Sequence, residues 1–439
     1  MSTSRTLSSD LKHHLGKTVR IEGWLHKKRL LGGLTFINVR DRRGLVQVVI
    51  QDKDEVEKLR GLQIGTVLAV EGKAVEEPRA PGGAELHDAH LTVLVPVTDE
   101  PPIEIDKPLS HKPENLDTLF EHRVLGLRNL QERAVFEIQA TVCGAIRQYF
   151  AGHGFIEIHT PKLLAEATEG GAEVFKLDYF DKTATLAQSP QFYKQMMVGV
   201  FERVYEIAPV YRAEPSATTR HMTEYTSVDG EMGFITLKDL EHFLSGLLRA
   251  AVDAAWAGHE TELKRWNATK PQLPDEIPVL TMADIHEKYS KATGEDSVGE
   301  KDLRPDEERW ICDYAKKQLG SDAVFVSEWP ASEMKFYHKA NDDQPDVADR
   351  IDLLFRGVEI TTGSLRENRY DVLVQQLKQL AKGDPADPGF APLLTAMRYG
   401  MPPHGGFGLG LERLTEKIIG FSNVKEATLF PRDINRLAP

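Results

Sequence analysis

A chain of 439 residues with 41% hydrophobic content is long enough for two or three domains, each with its own core. It has no long apolar run, and its polar start (1–12) carries no apolar segment, so a membrane span and a signal peptide are excluded and the cytoplasm is expected. Two cysteines, Cys143 and Cys312, with no Cys/His cluster, exclude a disulfide framework and a zinc centre; the net charge of −13 argues against a nucleic-acid partner.

The distribution of charge points the other way. Between Lys17 and Arg43 stand Lys17, Arg20, Lys27, Lys28, Arg29, Arg40, Arg42 and Arg43 against only Glu22 and Asp41. A local basic surface is what phosphate binding needs, although a solvated charged face is the plainer reading of this stretch alone. Segments 18–24, 34–40, 45–51, 67–75 and 89–97 are rich in Val, Ile, Leu and Thr and are punctuated by turn residues. Five such segments predict a small closed barrel of the oligonucleotide-binding type over residues 1–100. Pro101, Pro102, Pro108 and Pro113 then mark a connector, taken as 101–130.

From residue 130 to 150, Val135, Ile138, Val142, Ile146 and Tyr149 recur at helical spacing. The strand GFIEIHTP (154–161) follows and stops at a proline. Further strands are expected at 204–211, 224–234, 323–329, 351–360 and 405–409, with helices between them. Residues 131–439 therefore read as an α+β domain, an antiparallel sheet flanked by helices.

Three separated segments carry chemistry. They are the helix with GFIEIHTP; ERVYEIAPVYRAE (202–214), followed after a short loop by HMTEYTSVD (221–229); and GGFGLGLERL (405–414). In this order and spacing they resemble the three signature motifs of the class II aminoacyl-tRNA synthetases. An isolated Arg or Glu is more often a surface ion pair. An Arg within the apolar strand 208–212 instead requires a partner, because burying it unpaired costs several kcal/mol.

The resemblance implies ATP and Mg²⁺ as cofactors and an attack by an amino-acid carboxylate on the α-phosphorus of ATP, with fixed cations countering the charge that grows on pyrophosphate. Arg212 is then the α-phosphate ligand, and Glu214 orients the adenine amino group. Arg220 and His221 close over the β- and γ-phosphates, beside Met222. Tyr225 stacks under adenine and Arg413 covers its other face. Gly408 and Gly410 let backbone approach the nucleotide. Magnesium wants hard oxygen ligands, and in DLLFRGVEITT (352–362) the resemblance assigns Asp352, Glu359 and Thr362 to it.

The motif QSPQFYK (188–194) and the segment GSLR (363–366) resemble the aspartate branch of that class. Lys194 and Arg366 would grip the second carboxylate of L-aspartate, so a pocket with uncompensated positive charge is expected. Asparagine enzymes lack the lysine, so Lys194 separates the two. Glu169 in the TEGG loop (168–171) and Asp229 would hold the substrate ammonium, with Gln191, Ser364 and Thr362 lining the pocket. The first motif implies a homodimer.

On the barrel, Phe36 and Gln47 match positions that read the central anticodon base, with Arg29 beside them. The short stretch between the second and third motifs leaves little room for the large domain of bacterial-type aspartate enzymes, so the chain resembles the archaeal-like type. His26 and Pro81, in place of a bulky aromatic and a lysine, imply relaxed choice at the third anticodon base, hence charging of tRNA-Asp and also tRNA-Asn. The rival readings are an asparagine ligase and a non-catalytic, oligonucleotide-binding paralogue.

Overall fold

The computed structural model describes residues 4–31, 34–165 and 173–438. The chain divides into two compact units, Met1–Arg133 and Ala134–Pro439.

In the first unit, strands β1 (Thr18–Leu31), β2 (Leu34–Arg40), β3 (Leu45–Ile50), β4 (Val67–Glu76) and β5 (Ala84–Val95) close into a barrel in the order β1-β2-β3-β5-β4. Strand β3 pairs with β5 in parallel and the other pairings are antiparallel. Period-two alternation puts Val19, Ile21, Ile37, Val39, Val46, Val48, Leu68 and Val70 inside. Strand β1 is twice as long as the 18–24 expected, because it serves two neighbours. Its first half pairs with β4, and its second half turns over to pair with β2. Gly23 permits that crossing: a Cβ there would lie 2.2 Å from the carbonyl oxygen of Arg40. A helix not foreseen, α1 (Lys53–Arg60), is capped by Asp52, whose side chain accepts from the N–H groups of Asp54 and Glu55. The stretch expected as a connector belongs to this first unit and includes helix α2 (Pro113–Glu121).

The second unit is built on an eight-stranded sheet. Its strands are β6 (Ile156–Glu157), β7 (Arg203–Tyr211), β8 (Glu224–Gly233), β9 (Val279–Thr281), β10 (Ala323–Ser327), β11 (Arg350–Phe355), β12 (Val358–Arg366) and β13 (His404–Gly410), in the order β9-β10-β11-β12-β13-β8-β7-β6. The expected antiparallel pairing holds for the six central strands, while β6 and β9 join the edges in parallel.

Two long helices bury one face of this sheet. Helix α3 (Leu130–Gly152) lays Val135, Ile138, Val142, Ile146 and Phe150 on it, and the ring of Phe150 stacks on Tyr205 at 4.2 Å. Helix α4 (Gln191–Phe201) lies elsewhere, against β7 and β8. Helix α5 (Leu237–Arg265), started by a capping box of Thr236 and Asp239, adds Leu240, Leu244, Leu247 and Leu248. Each such side chain contributes about 1.5–3 kcal/mol of burial, which fixes the sheet as a rigid floor for its other face.

The strand expected at 351–360 is in fact two. The chain reverses at Arg356 (φ 49°) and Gly357 (φ 86°), a two-residue hairpin with both residues left-handed. This turn sets Glu359, Thr362, Ser364 and Arg366 on β12, antiparallel to β11.

Candidate active site

Register builds the site. Asp229 on β8 stands opposite Gly408 on β13, which stands opposite Thr362 on β12; in the next rank Glu231, Gly406 and Ser364 align in the same way. Side chains in one rank share a face. The alternation in GGFGLG therefore buries Phe407 and Leu409 on the helix side and leaves a trough of glycines between two walls of polar side chains. A Cβ on Gly406 would fall 2.0 Å from Glu231 Oε2 and 2.3 Å from the carbonyl of Gly230. Only glycine fits there.

Over this trough lies a cavity of about 520 Å³, lined among others by Gln191, Lys194, Arg212, Arg220, His221, Met222, Tyr225, Asp229, Glu359, Thr362, Arg366, Gly408, Gly410 and Arg413. These expected residues come from four separate stretches of sequence and meet at one place. Glu214, Asp352 and Ser364 do not line it. The Glu214 carboxylate accepts from Ser216 Oγ at 2.7 Å, and Ser364, fully buried, accepts from Arg366 Nη1 at 2.6 Å. Glu169 lies outside the described residues.

At one end of the cavity four charges form a buried set. Lys194, 2% exposed, donates from Nζ to Asp229 Oδ1 and to the carbonyl of Phe407, both at 2.8 Å, and Glu231 Oε2 is 3.5 Å away. Arg366 grips fully buried Glu231 with two N–H groups, Nε to Oε1 at 2.7 Å and Nη2 to Oε2 at 3.2 Å. Ser227 Oγ donates to the other oxygen of Asp229 at 2.6 Å. The expectation of uncompensated positive charge is thus corrected: two cations meet two acids. Two unpaired buried cations would each cost several kcal/mol, so the fold supplies their counterions. Burial pushes the Glu231 carboxyl up, but Arg366 and then Lys194 outweigh it and hold it below the usual carboxylate range.

Reading the sequence missed Glu231. Its one signal is the two-residue step from Asp229, which puts it on the same face of the strand. It also missed His338, Gln188, Arg350 and Tyr337, which line the same cavity. Burial, and after it the nearby Arg366, Arg350, Lys335 and Lys194, keep the His338 imidazole far below its ordinary pKa and so neutral. His338 Nδ1, Gln191 Nε2 and Gln188 Oε1 are buried with no hydrogen-bond partner among the described residues. Orphaned polar atoms clustered at a cavity wall are what a polar ligand satisfies.

At the other end, Arg413 Nη1 donates to the carbonyl of Glu359 at 2.8 Å and Nη2 to that of Arg220 at 3.3 Å. His221 is hydrogen-bonded to Thr218 Oγ1 at 2.8 Å; burial, then Arg413, lower its pKa. Thr362 Oγ1 donates to Glu359 Oε1 at 3.1 Å. Asp352, directly across from Thr362, is held by Arg350 Nε and Nη2 at 3.1 and 2.6 Å. Burial pushes its pKa up to about 6, with Arg350 opposing and Glu359 adding to the rise. Two carboxylates and a hydroxyl crowded in this way fit a hard divalent cation that completes its shell with phosphate and water.

Beside Arg413, Glu412 accepts from the N–H of Thr226 with both oxygens at 3.0 Å. Burial nonetheless pushes its pKa up to about 7. The native state therefore holds this proton more tightly than the unfolded chain, and stability falls as pH rises through the window from the ordinary value of 4.5 to about 7. Glu412→Gln is expected to flatten that slope, by at most about 3 kcal/mol. Urea denaturation of parent and variant at about pH 5 and about pH 8 checks it; identical slopes would contradict the assignment.

The anticodon candidates sit on the barrel. Arg29 pairs with Phe36 across β1 and β2, and Gln47 lies two residues along on β3, so all three face outward on one surface. The Gln47 amide already donates to Glu85 Oε2 at 2.7 Å. His26 is the extra residue of a bulge in β1. The residue is 9% exposed, and burial followed by Arg40 lowers its pKa, so it is not on that open surface. Pro81 opens a short 3₁₀ turn.

The architecture and the site define a class of protein, and comparison with known families agrees. Residues 115–434 match the family described as tRNA synthetases class II (D, K and N), and residues 19–94 match the OB-fold nucleic acid binding domain. The chain belongs to the class II aminoacyl-tRNA synthetases of that group.

Its relatives narrow the comparison. An aspartate–tRNA(Asp/Asn) ligase of Thermus thermophilus is 43% identical over 99% of this chain and 100% of its own length. An aspartate–tRNA(Asp) ligase of Pyrococcus horikoshii is 40% identical over 97% of each chain. Among solved structures, asparaginyl-tRNA synthetase from Pyrococcus horikoshii with asparaginyl-adenylate aligns at a TM-score of 0.91, with 30% identity, over 99% of this chain and 100% of that one. Aspartate and asparagine enzymes share the fold, so the choice of amino acid rests on side chains in the cavity. Among the described residues no helix is long and apolar enough to cross a membrane.

Proposed function

We propose that this chain activates L-aspartate with ATP and transfers it to tRNA-Asp and also to tRNA-Asn, as a homodimer in the cytoplasm. The observation that carries the reading is the buried set of Lys194, Asp229, Glu231 and Arg366 at one end of a cavity whose other end holds Arg413 and Glu359. The set is neutral as it stands, yet its donors are not used up. Lys194 has three N–H groups, two of them in short hydrogen bonds, and Arg366 has five, three of them engaged. A substrate carboxylate can take the remainder without displacing either acid. The amide of asparagine would set its own N–H against these donors and lose the charge.

In the first step a carboxylate oxygen of aspartate attacks the α-phosphorus and pyrophosphate leaves. Arg212 holds the α-phosphate beside that carboxylate, Glu214 orients the adenine amino group, and Tyr225 and Arg413 sandwich the base. Glu359 with Thr362 and Asp352 would hold Mg²⁺, which supplies countercharge to the phosphates. Asp229 and Glu169 meet the substrate ammonium. The terminal 3′-hydroxyl of tRNA then attacks the aspartyl carbonyl and AMP departs. No protein nucleophile takes part.

On the barrel, Phe36 stacks on the central anticodon base with Arg29 and Gln47 beside it. At the next base neither candidate offers a charged donor: His26 is buried in its bulge and Pro81 has no donor at all. This supports weak discrimination between the two tRNAs. Helix α3 and strand β6 form the dimer contact, where Ile156 is exposed.

Charging of purified tRNA-Asp and tRNA-Asn transcripts tests the relaxed choice. Initial kcat/KM values within about tenfold of each other are expected. A preference of about a hundredfold for tRNA-Asp, or about 2.8 kcal/mol, would make the enzyme discriminating.

A further inference from the structure

The loop that brings Arg220 over the cavity is tied to a part of the chain in which no motif was found. Helix α6 (Pro305–Tyr314) carries Asp306, Glu307 and Glu308 in its first turn, where the partial positive charge of a helix N-terminus favours acids. Glu308 forms an ion pair with Arg220 through Oε2 and Nη2. The side chains are 14% and 24% exposed, so the pair is largely shielded from solvent. Arg220 lines the cavity and Glu308 does not. The ion pair therefore turns the guanidinium toward α6. The backbone carbonyl of Arg220 meanwhile accepts from Arg413 Nη2 at 3.3 Å, so the loop stays seated beside the nucleotide end whatever its side chain does.

We propose that Glu308 is a positioning residue, a latch that holds the Arg220 guanidinium off the cavity until ATP's terminal phosphates take it, and that recaptures it as pyrophosphate leaves. The inference rests on the reading that Arg220 serves the β- and γ-phosphates. Its logic is a competition of charges. One carboxylate holds one guanidinium; a triphosphate tail carries several negative charges and outcompetes it, whereas AMP, lacking the two outer phosphates, does not. The latch thus tells ATP from AMP without touching either.

ATP–pyrophosphate exchange, with pyrophosphate inhibition and AMP binding measured alongside, tests this in Glu308→Gln, Arg220→Gln and the double variant. Glu308→Gln is expected to lower the KM for ATP about two- to fivefold, the range that a partly exposed ion pair is worth. Pyrophosphate inhibition should tighten in parallel, while AMP binding and the KM for aspartate stay as in the parent. Arg220→Gln should raise the KM for ATP, and adding Glu308→Gln to it should change nothing more. Glu308→Ala should shift ATP in the same direction, which separates lost charge from a peculiarity of glutamine. If Arg220→Gln weakens ATP but Glu308→Gln leaves its KM unchanged or raises it, the latch is wrong and the phosphate role of Arg220 stands. An Arg220→Gln variant with normal ATP use would remove that role and the latch together.

Discussion

Lys194→Leu is expected to reduce aspartate-dependent ATP–pyrophosphate exchange by a factor of about a thousand or more, equivalent to about 4 kcal/mol. Two effects act together. The variant loses the donor proposed to meet the substrate's second carboxylate, and it removes one of the two cations of the set, leaving two acids, Asp229 and fully buried Glu231, with Arg366. The set then carries a net negative charge, which disfavours a second carboxylate beside it. Breaking a buried pair also costs about 3–5 kcal/mol of stability, so a folding control is part of the experiment. Binding of ATP, whose proposed contacts lie at the other end of the cavity, should survive in the folded fraction. A variant that retains exchange with aspartate within tenfold of the parent would show that Lys194 does not read the side chain. Arg366→Leu is expected to behave alike, since it strands Glu231 with only the more distant Lys194.

The second large effect is expected at the nucleotide end. Arg413 is held by two backbone carbonyls, of Glu359 and Arg220, and this fixes its guanidinium before the nucleotide arrives. A donor fixed in advance needs no reorganisation when charge develops, and removal of one such donor costs about a hundred- to a thousandfold in rate. Arg413→Gln should therefore slow single-turnover formation of the adenylate by that factor, with aspartate affinity unchanged because the charge set around Lys194 is intact. If the rate fell less than fivefold, or if aspartate affinity fell equally, Arg413 would have a structural role instead.

How far the sequence could be read follows from where each signal is encoded. The barrel strands were legible because alternation along a strand is local: a residue two steps on returns to the same face, and core residues such as Val46 and Val48 announce themselves. The double use of β1 was not legible, since nothing in residues 24–31 says that a second neighbour waits. The hairpin at Arg356 and Gly357 was hidden inside an apolar run that reads as one strand. Only the Arg-Gly pair, in a left-handed turn, divides it.

The site divides in the same way. Residues in the motifs, from Arg212 to Arg413, stood out through resemblance, and pairing among β8, β13 and β12 draws them together. Residues that complete the environment did not stand out. Glu231, His338, Arg350 and Glu308 reach it through sheet register, a short bridge and a distant helix, contacts that no local pattern records. The expectation of surplus positive charge failed for a related reason. Cations are conspicuous in a motif, while the acids that neutralise them lie elsewhere in the chain.

Calorimetric binding of aspartate and of asparagine to the intact protein, in the presence of a non-hydrolysable ATP analogue and Mg²⁺, tests the pocket most directly. Aspartate should bind saturably, and asparagine should require at least about a hundredfold higher concentration, a difference of about 2.8 kcal/mol. Equal affinity for the two, or tighter binding of asparagine, would mean that Lys194 and Arg366 serve only Asp229 and Glu231 and do not select the substrate.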